Sequence, residues 1–162
     1  MQTEVARTEL RPLTSGTLPG WFQRILSRGA PRARVIAPRQ VHLGGSLEID
    51  WWLFWRDAPE STMVTVTLVG AEVAHRRISA RTGISIVTET RPFLTLELDR
   101  HAAESGWPVA SGHVETRVPA RTMPSLAGKL NEISWAVMVD ATRGSETLVR
   151  QAFPLTVLPV AI

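Results

Sequence analysis

Hydrophobic residues fall at every second position over residues 46–55, SLEIDWWLFW, with Leu47, Ile49, Trp51, Leu53 and Trp55 on one face and Glu48 and Asp50 on the other. A period of two is that of a half-buried strand. Trp52 and Phe54 place two rings on the nominally polar face, so the strand is either covered on both sides there or carries an exposed aromatic patch. From Thr62, TMVTVTLVGAEVAHRR sets Met63, Thr65 and Thr67 against Val64, Val66 and Leu68, and Gly70 marks a bulge or bend within that strand. Residues 84–98, ISIVTETRPFLTLEL, read as one or two strands whose register is interrupted near Pro92, because Phe93 is in phase with neither Leu94 nor Leu96. HAAESGWP breaks the alternation, and a strand resumes between Val109 and Val118. The Pro- and Gly-punctuated stretch PARTMPSLAGKLNE then connects to ISWAVMVDA, where Ile133, Trp135, Val137 and Val139 face inward and Ser134, Ala136, Met138 and Asp140 outward. A hairpin at Arg143-Gly144-Ser145 returns the chain through LVRQAFPLTVL. About seven strands with no long helix between them predict an all-β, antiparallel, immunoglobulin-like sandwich.

The beginning of the chain differs in character. Residues 1–20 mix charges with Pro12, Gly16, Pro19 and Gly20 and show neither period, which predicts an arm without regular structure. WFQRILS, Trp21 to Ser27, fits two helical turns with Trp21 and Ile25 on one side and Phe22 and Leu26 adjacent, ended by Gly29 and Pro31. The expected organisation is an arm with a short amphipathic helix over 1–31 and a sandwich domain over 32–162.

Composition narrows the function more than the fold. The 162 residues are 44% hydrophobic, enough to fill one core. The chain has no cysteine, which removes disulfides, thiolate metal sites and a thiol nucleophile together. Net charge is only +3, and the high pI of about 10.8 reflects basic residues that are all arginine except Lys129. Arginine suits carboxylate and phosphate recognition, but a GC-rich genome produces the same bias. No window offers the run of about 20 apolar residues that a membrane-spanning helix needs. MQTEVARTELRPL lacks the basic start and apolar stretch of a secretory signal, so the expected location is cytoplasmic.

The segment MPSLAGKLNEISWAVMVDA, followed by a turn and FPLTVLP, resembles the arrestin-like family. There a proline-containing segment passes through a P-S-x-x-G stretch into an aromatic-bearing strand, and the domain closes with a strand ending near a proline. The matching residues are Pro119, Pro124, Ser125, Gly128, Ile133, Trp135, Phe153, Pro154, Val157 and Pro159. LGGSLEIDWWL and VTVTLVGAEV are similar to the family's first two core strands, so the resemblance spans about residues 35–159 and covers one sandwich where the family usually has two. It implies a non-enzymatic protein-interaction or trafficking-scaffold module. The receptor-binding and phosphate-sensing residues of eukaryotic arrestins have no counterpart that can be placed in this sequence, which counts against a receptor-regulating role. A fainter similarity is to soluble domains appended to transmembrane segments in bacterial proteins.

A search for chemistry predicts no catalytic, cofactor-binding or metal-ligating residues. His42, His75, His101 and His113 are scattered, with no spacing that aims two rings at one ion. Glu48 with Asp50, and Glu97 with Asp99, each lie two apart and so on one strand face, as glycosidase or cation-site carboxylates do, although such pairs are more often an outward polar face. Leu43-Gly44-Gly45-Ser46 reads as a turn and not a nucleophile elbow. His75-Arg76-Arg77 with Arg81 forms a basic cluster at a strand end. Arg24, Arg28, Arg32, Arg34 and Arg39 crowd the early chain beside Trp21 and Phe22, a combination that serves a membrane surface, a protein or, least well, a nucleic acid. The commoner use of such a short apolar helix is docking on its own sandwich, here over Trp52 and Phe54. The candidate partner-binding residues are therefore Trp21, Phe22, Arg24, Arg28, Trp52 and Phe54. The expected partner is a protein, membrane proteins included. The alternatives are a membrane-peripheral domain held through residues 21–39, which would place the protein at the membrane surface, and a carbohydrate-binding or hydrolytic sandwich.

Overall fold

In the computed structural model, which describes residues 6–12 and 31–160, ten strands form two sheets. Seven are long: β2 (Arg32–Pro38), β4 (Ser46–Phe54), β5 (Met63–Ala80), β6 (Gly83–Ala102), β7 (Ala110–Arg117), β9 (Asn131–Arg143) and β10 (Glu146–Leu158). Three are short: β1 (Arg7–Glu9), β3 (Gln40–His42) and β8 (Leu126–Ala127). The smaller sheet has the order β1-β2-β4-β7; the larger runs β3-β10-β9-β5-β6, with β8 beside β9. The chain passes from one sheet to the other at Pro38–Arg39, where β2 ends and β3 begins.

The alternation that predicted the strands is what closes them into a sandwich. Leu47, Ile49, Trp51 and Leu53 of β4 meet Val64, Val66 and Leu68 of β5 and Val137 and Val139 of β9, all fully buried in one core with Val35, Phe153 and Val157. Trp55 lies just past β4 and packs against this core, as does Ile133. Gly70 does sit at a bulge. A Cβ there would come within 2.7 Å of the Phe93 ring, and Phe93 is the extra residue on β6, which is why it keeps phase with neither neighbour.

Several expectations change. Residues 84–98 are the middle of one twenty-residue strand that begins at Gly83 and continues through His101 and Ala102. One pairing is parallel, β3 with β10, so the sandwich is not wholly antiparallel. Within the predicted arm, Arg7–Glu9 pair with Pro38–Ile36 and Leu10 is buried, so these residues belong to the sandwich; three residues are too few to show a period. The helix predicted over Trp21–Ser27 lies outside the described residues.

The motif positions of the arrestin-like resemblance hold the connection in place. The Trp135 indole donates to the Met123 carbonyl at 3.0 Å, and Ser125 is latched to Val157 through its backbone N–H at 2.7 Å and its hydroxyl at 2.8 Å.

Candidate functional site

The outer face of the small sheet carries the aromatic residues that the sequence singled out. Trp52 and Phe54 alternate with core residues on β4 and are half-buried. Arg34, opposite Trp52 on β2, holds its guanidinium 5.7 Å from the indole centroid. Phe54, opposite Arg32, meets the ring of Trp107 at 4.8 Å between centroids with the planes tilted by 39°. Trp107 is 67% exposed, on a loop pinned where Ala103 N–H donates to Thr62 and Val109 N–H to Leu53. Sequence reasoning missed Trp107, because it lies in the stretch read only as a break; a large aromatic residue in a Pro- and Gly-bounded loop was the available signal. Trp21, Phe22, Arg24 and Arg28 are outside the described residues, but the chain that carries them enters the sandwich at Arg32, beside Phe54.

Further along the same face a titratable cluster forms across three strands. Arg7 of β1 donates to both Glu48 and Asp50 of β4, and His113 of β7 sets Nδ1 2.6 Å from Asp50 and Nε2 3.4 Å from Glu115. The His113 pKa is raised, first by its hydrogen bond to Asp50 and then by Glu115; the Asp50 carboxyl is held below its ordinary range by His113 and Arg7. Glu48, His113 and Glu115 offer ligand atoms within 4.8 Å of one another. Arg7 already occupies the Glu48 oxygen at 2.9 Å, however, so the arrangement is best understood as an ion-pair clip that fastens β1 to the sheet. Sequence spacing alone hid this grouping, since Glu48-x-Asp50 and His113-x-Glu115 meet only once β4 and β7 pair.

Glu97 and Asp99 do not share a face. A bulge at Leu98 pairs Asp99 with inward Val66 and Glu97 with outward Thr67. Asp99 turns to the sandwich edge, where it accepts from the Trp51 indole at 2.9 Å and contacts His101 at 2.9 Å. Among the described residues no histidine hydrogen-bonds a serine: His42 meets the Pro159 carbonyl and His75 the Thr88 hydroxyl. A shallow groove of about 540 Å³ lies on the outer face of the large sheet over Val69, Ala71, Pro92, Ala136 and Met138. Its charged groups, Asp140 and Arg150, are paired with each other at 2.7 Å. Nothing in that arrangement activates a nucleophile or polarises a bond.

The basic cluster lies at the far end of β5. Beyond Ala74, the last residue paired with β9, β5 and β6 continue as a two-stranded ribbon that bears His75, Arg76 and Arg77, with Arg81 in its turn. Ile78, Ile84, Ile86 and Val87 are exposed on it.

No family model matches the chain, and no curated protein matches it. A solved structure of the sporulation control protein Spo0M from Bacillus subtilis is similar over 83% of this chain and 51% of that one, at 12% identity and a TM-score of 0.47. The chain thus spans about half the length of that protein. The assignment of a two-sheet β-sandwich rests on the strand pairing itself.

Proposed function

We propose that this chain is a non-enzymatic interaction domain, resembling one arrestin-like sandwich, that binds a protein partner through Trp107, Phe54 and Trp52 with Arg32 and Arg34 at the rim. The observation that carries this reading is Trp107, 67% exposed and seated on Phe54 beside the Arg34-capped ring of Trp52. Tryptophan and arginine dominate the residues that supply binding energy in protein interfaces, and a large ring left in water gains when a partner covers it. In this reading Trp21, Phe22, Arg24 and Arg28, which precede Arg32 in the sequence, supply further partner contacts, and, with Arg34 already paired to Glu9 at 3.3 Å, the other arginines favour an acidic rim on the partner. A sugar-binding platform would present its rings flat to the ligand; here Trp107 leans on Phe54 and Arg34 covers Trp52.

The test compares capture of one defined partner from the native cell by wild type, Trp107→Ala and Phe54→Ala. The expected result is loss of that partner from both variants, with the melting temperature of Trp107→Ala unchanged because its ring is exposed. Retention of the same partner by both variants overturns the proposal.

A further inference from the structure

Among the described residues β6 is the edge strand of the large sheet, and its two halves treat that edge differently. Sheet edges present unpaired N–H and C=O groups, and proteins blunt them with proline, charge and bulges. From Glu89 to Leu98 every such device is present: the Glu89–Arg91 ion pair at 2.7 Å, Pro92, and the extra residues Phe93 and Leu98. From Gly83 to Thr88, GISIVT, there is none, and the register with β5 is unbroken from Ala71↔Pro92 to Ala80↔Gly83. Ile84 is 72% and Ile86 65% exposed, although this stretch has the composition of a paired strand.

We propose that this edge is the dimer contact of the protein, and that it pairs antiparallel with the same edge of a second copy about a twofold axis at Ser85. In a sheet, residues directly opposite share a face. An axis at Ser85 therefore sets Ile84 against Ile86 of the second copy, Ile86 against its Ile84, Ser85 against its Ser85 and Gly83 against its Val87. This register pairs isoleucine with isoleucine twice and ends at Gly83 and Val87, while Glu89 keeps its ion pair with Arg91 of its own chain. An axis one residue on, at Ile86, would instead set Ile84 against Thr88 and forfeit this match. Arg76 and Arg77 lie on β5, the outer strands of the resulting four-stranded ribbon, where three strand spacings, about 14 Å, exceed the ~8 Å screening length at physiological salt. The contact is isologous and closes on itself, so it gives a dimer and not a fibre. Pairing five residues of each copy at an edge buries less than a standard interface does, so the dimer is weak and concentration-dependent.

This inference goes beyond the partner-binding reading, and two measurements on the full chain separate them. In sedimentation equilibrium, wild type is expected to show a monomer–dimer equilibrium that Ile86→Lys weakens about tenfold or more without lowering the melting temperature, while Trp107→Ala dimerises as wild type does. The chain has no cysteine, so Ser85→Cys introduces a single thiol, expected to give a disulfide-linked dimer on mild oxidation. Val87→Cys, whose symmetry mate lies about 13 Å along the strand, is expected not to crosslink. A wild type that stays monomeric at every concentration overturns the proposal, as does equal crosslinking by the two cysteine variants. Loss of a different protein from Ile86→Lys, with wild type monomeric, would assign the edge to that protein.

Discussion

Trp51 combines a fully buried ring with an indole N–H that reaches the carboxylate of Asp99, at the edge of the opposite sheet. The approach depends on Gly112 of β7: a Cβ there would collide with the Asp99 carboxylate and stand 2.6 Å from the indole nitrogen. Trp51→Phe keeps most of the packing but removes the donor, with an expected loss of about 1–3 kcal/mol in denaturant unfolding. Gly112→Ala is expected to cost a similar ~1–3 kcal/mol by overpacking although it adds one methyl group. His113 and Asp50 make a pH prediction. The folded-state pKa of His113 is raised, so its contribution is full below the ordinary histidine value and is lost as pH rises through the higher folded one. The Asp50 pKa is lowered, so its contribution is full above the ordinary carboxylate value and is lost as pH falls through the lower folded one. The clip is therefore strongest between these two ranges, in mildly acidic solution. Melting temperatures followed from about pH 5 to 8 should decline toward the alkaline end in wild type and be flatter in His113→Gln. Both sites depend on pairing that spacing cannot show: Asp99 is turned inward by the bulge at Leu98, and His113 meets Asp50 only across β4 and β7.

At the level of elements, the hairpin β5–β6 divides into a sandwich half and a ribbon half. Val64, Val66 and Leu68 belong to the core, whereas none of the residues described with their side chains between 76 and 87 does. Replacing His75–Thr88 by Asn-Gly would leave Ala74 paired with Glu89 across a two-residue turn of the kind hairpins favour. The shortened protein should melt as cooperatively as wild type and be monomeric in sedimentation; a collapse of the fold would show that the ribbon stabilises the sandwich. This division explains what could be read in advance. Strands with one face in the core announce themselves by alternation, as β4, the first half of β5 and β9 do, with the Gly144 turn between β9 and β10. The ribbon has no inner face, so its hydrophobic residues carried no sign of direction, and β6 appeared shorter than it is. β1 and β3, three residues each, are held by neighbours and not by a pattern of their own.

On the scale of the molecule, the aromatic corner and the ribbon tip lie at opposite ends of one long hairpin. The loop bearing Trp107 starts where β6 ends, at Ala102, which pairs with Met63, the first residue of β5. The tip, where Ala80 pairs with Gly83, is a strand's length away, roughly 55 Å at an ordinary rise per residue. The candidate site was half legible: Trp52 and Phe54 stood out because they broke an otherwise regular alternation, while Trp107 joins them only through a loop that folds back on β4. A dimer through the tips would point its two aromatic corners away from each other, separated on the order of 100 Å. Such a molecule engages two partners at once and gains in apparent affinity only where those partners are fixed at a matching distance, in an array or on a surface. Small-angle scattering at high and low concentration checks the geometry. The maximum dimension should nearly double as the dimer forms and should stay at the monomer value in Ile86→Lys. A dimer no longer than the monomer would mean that the copies pack side by side, and the two surfaces would then have to be assigned anew.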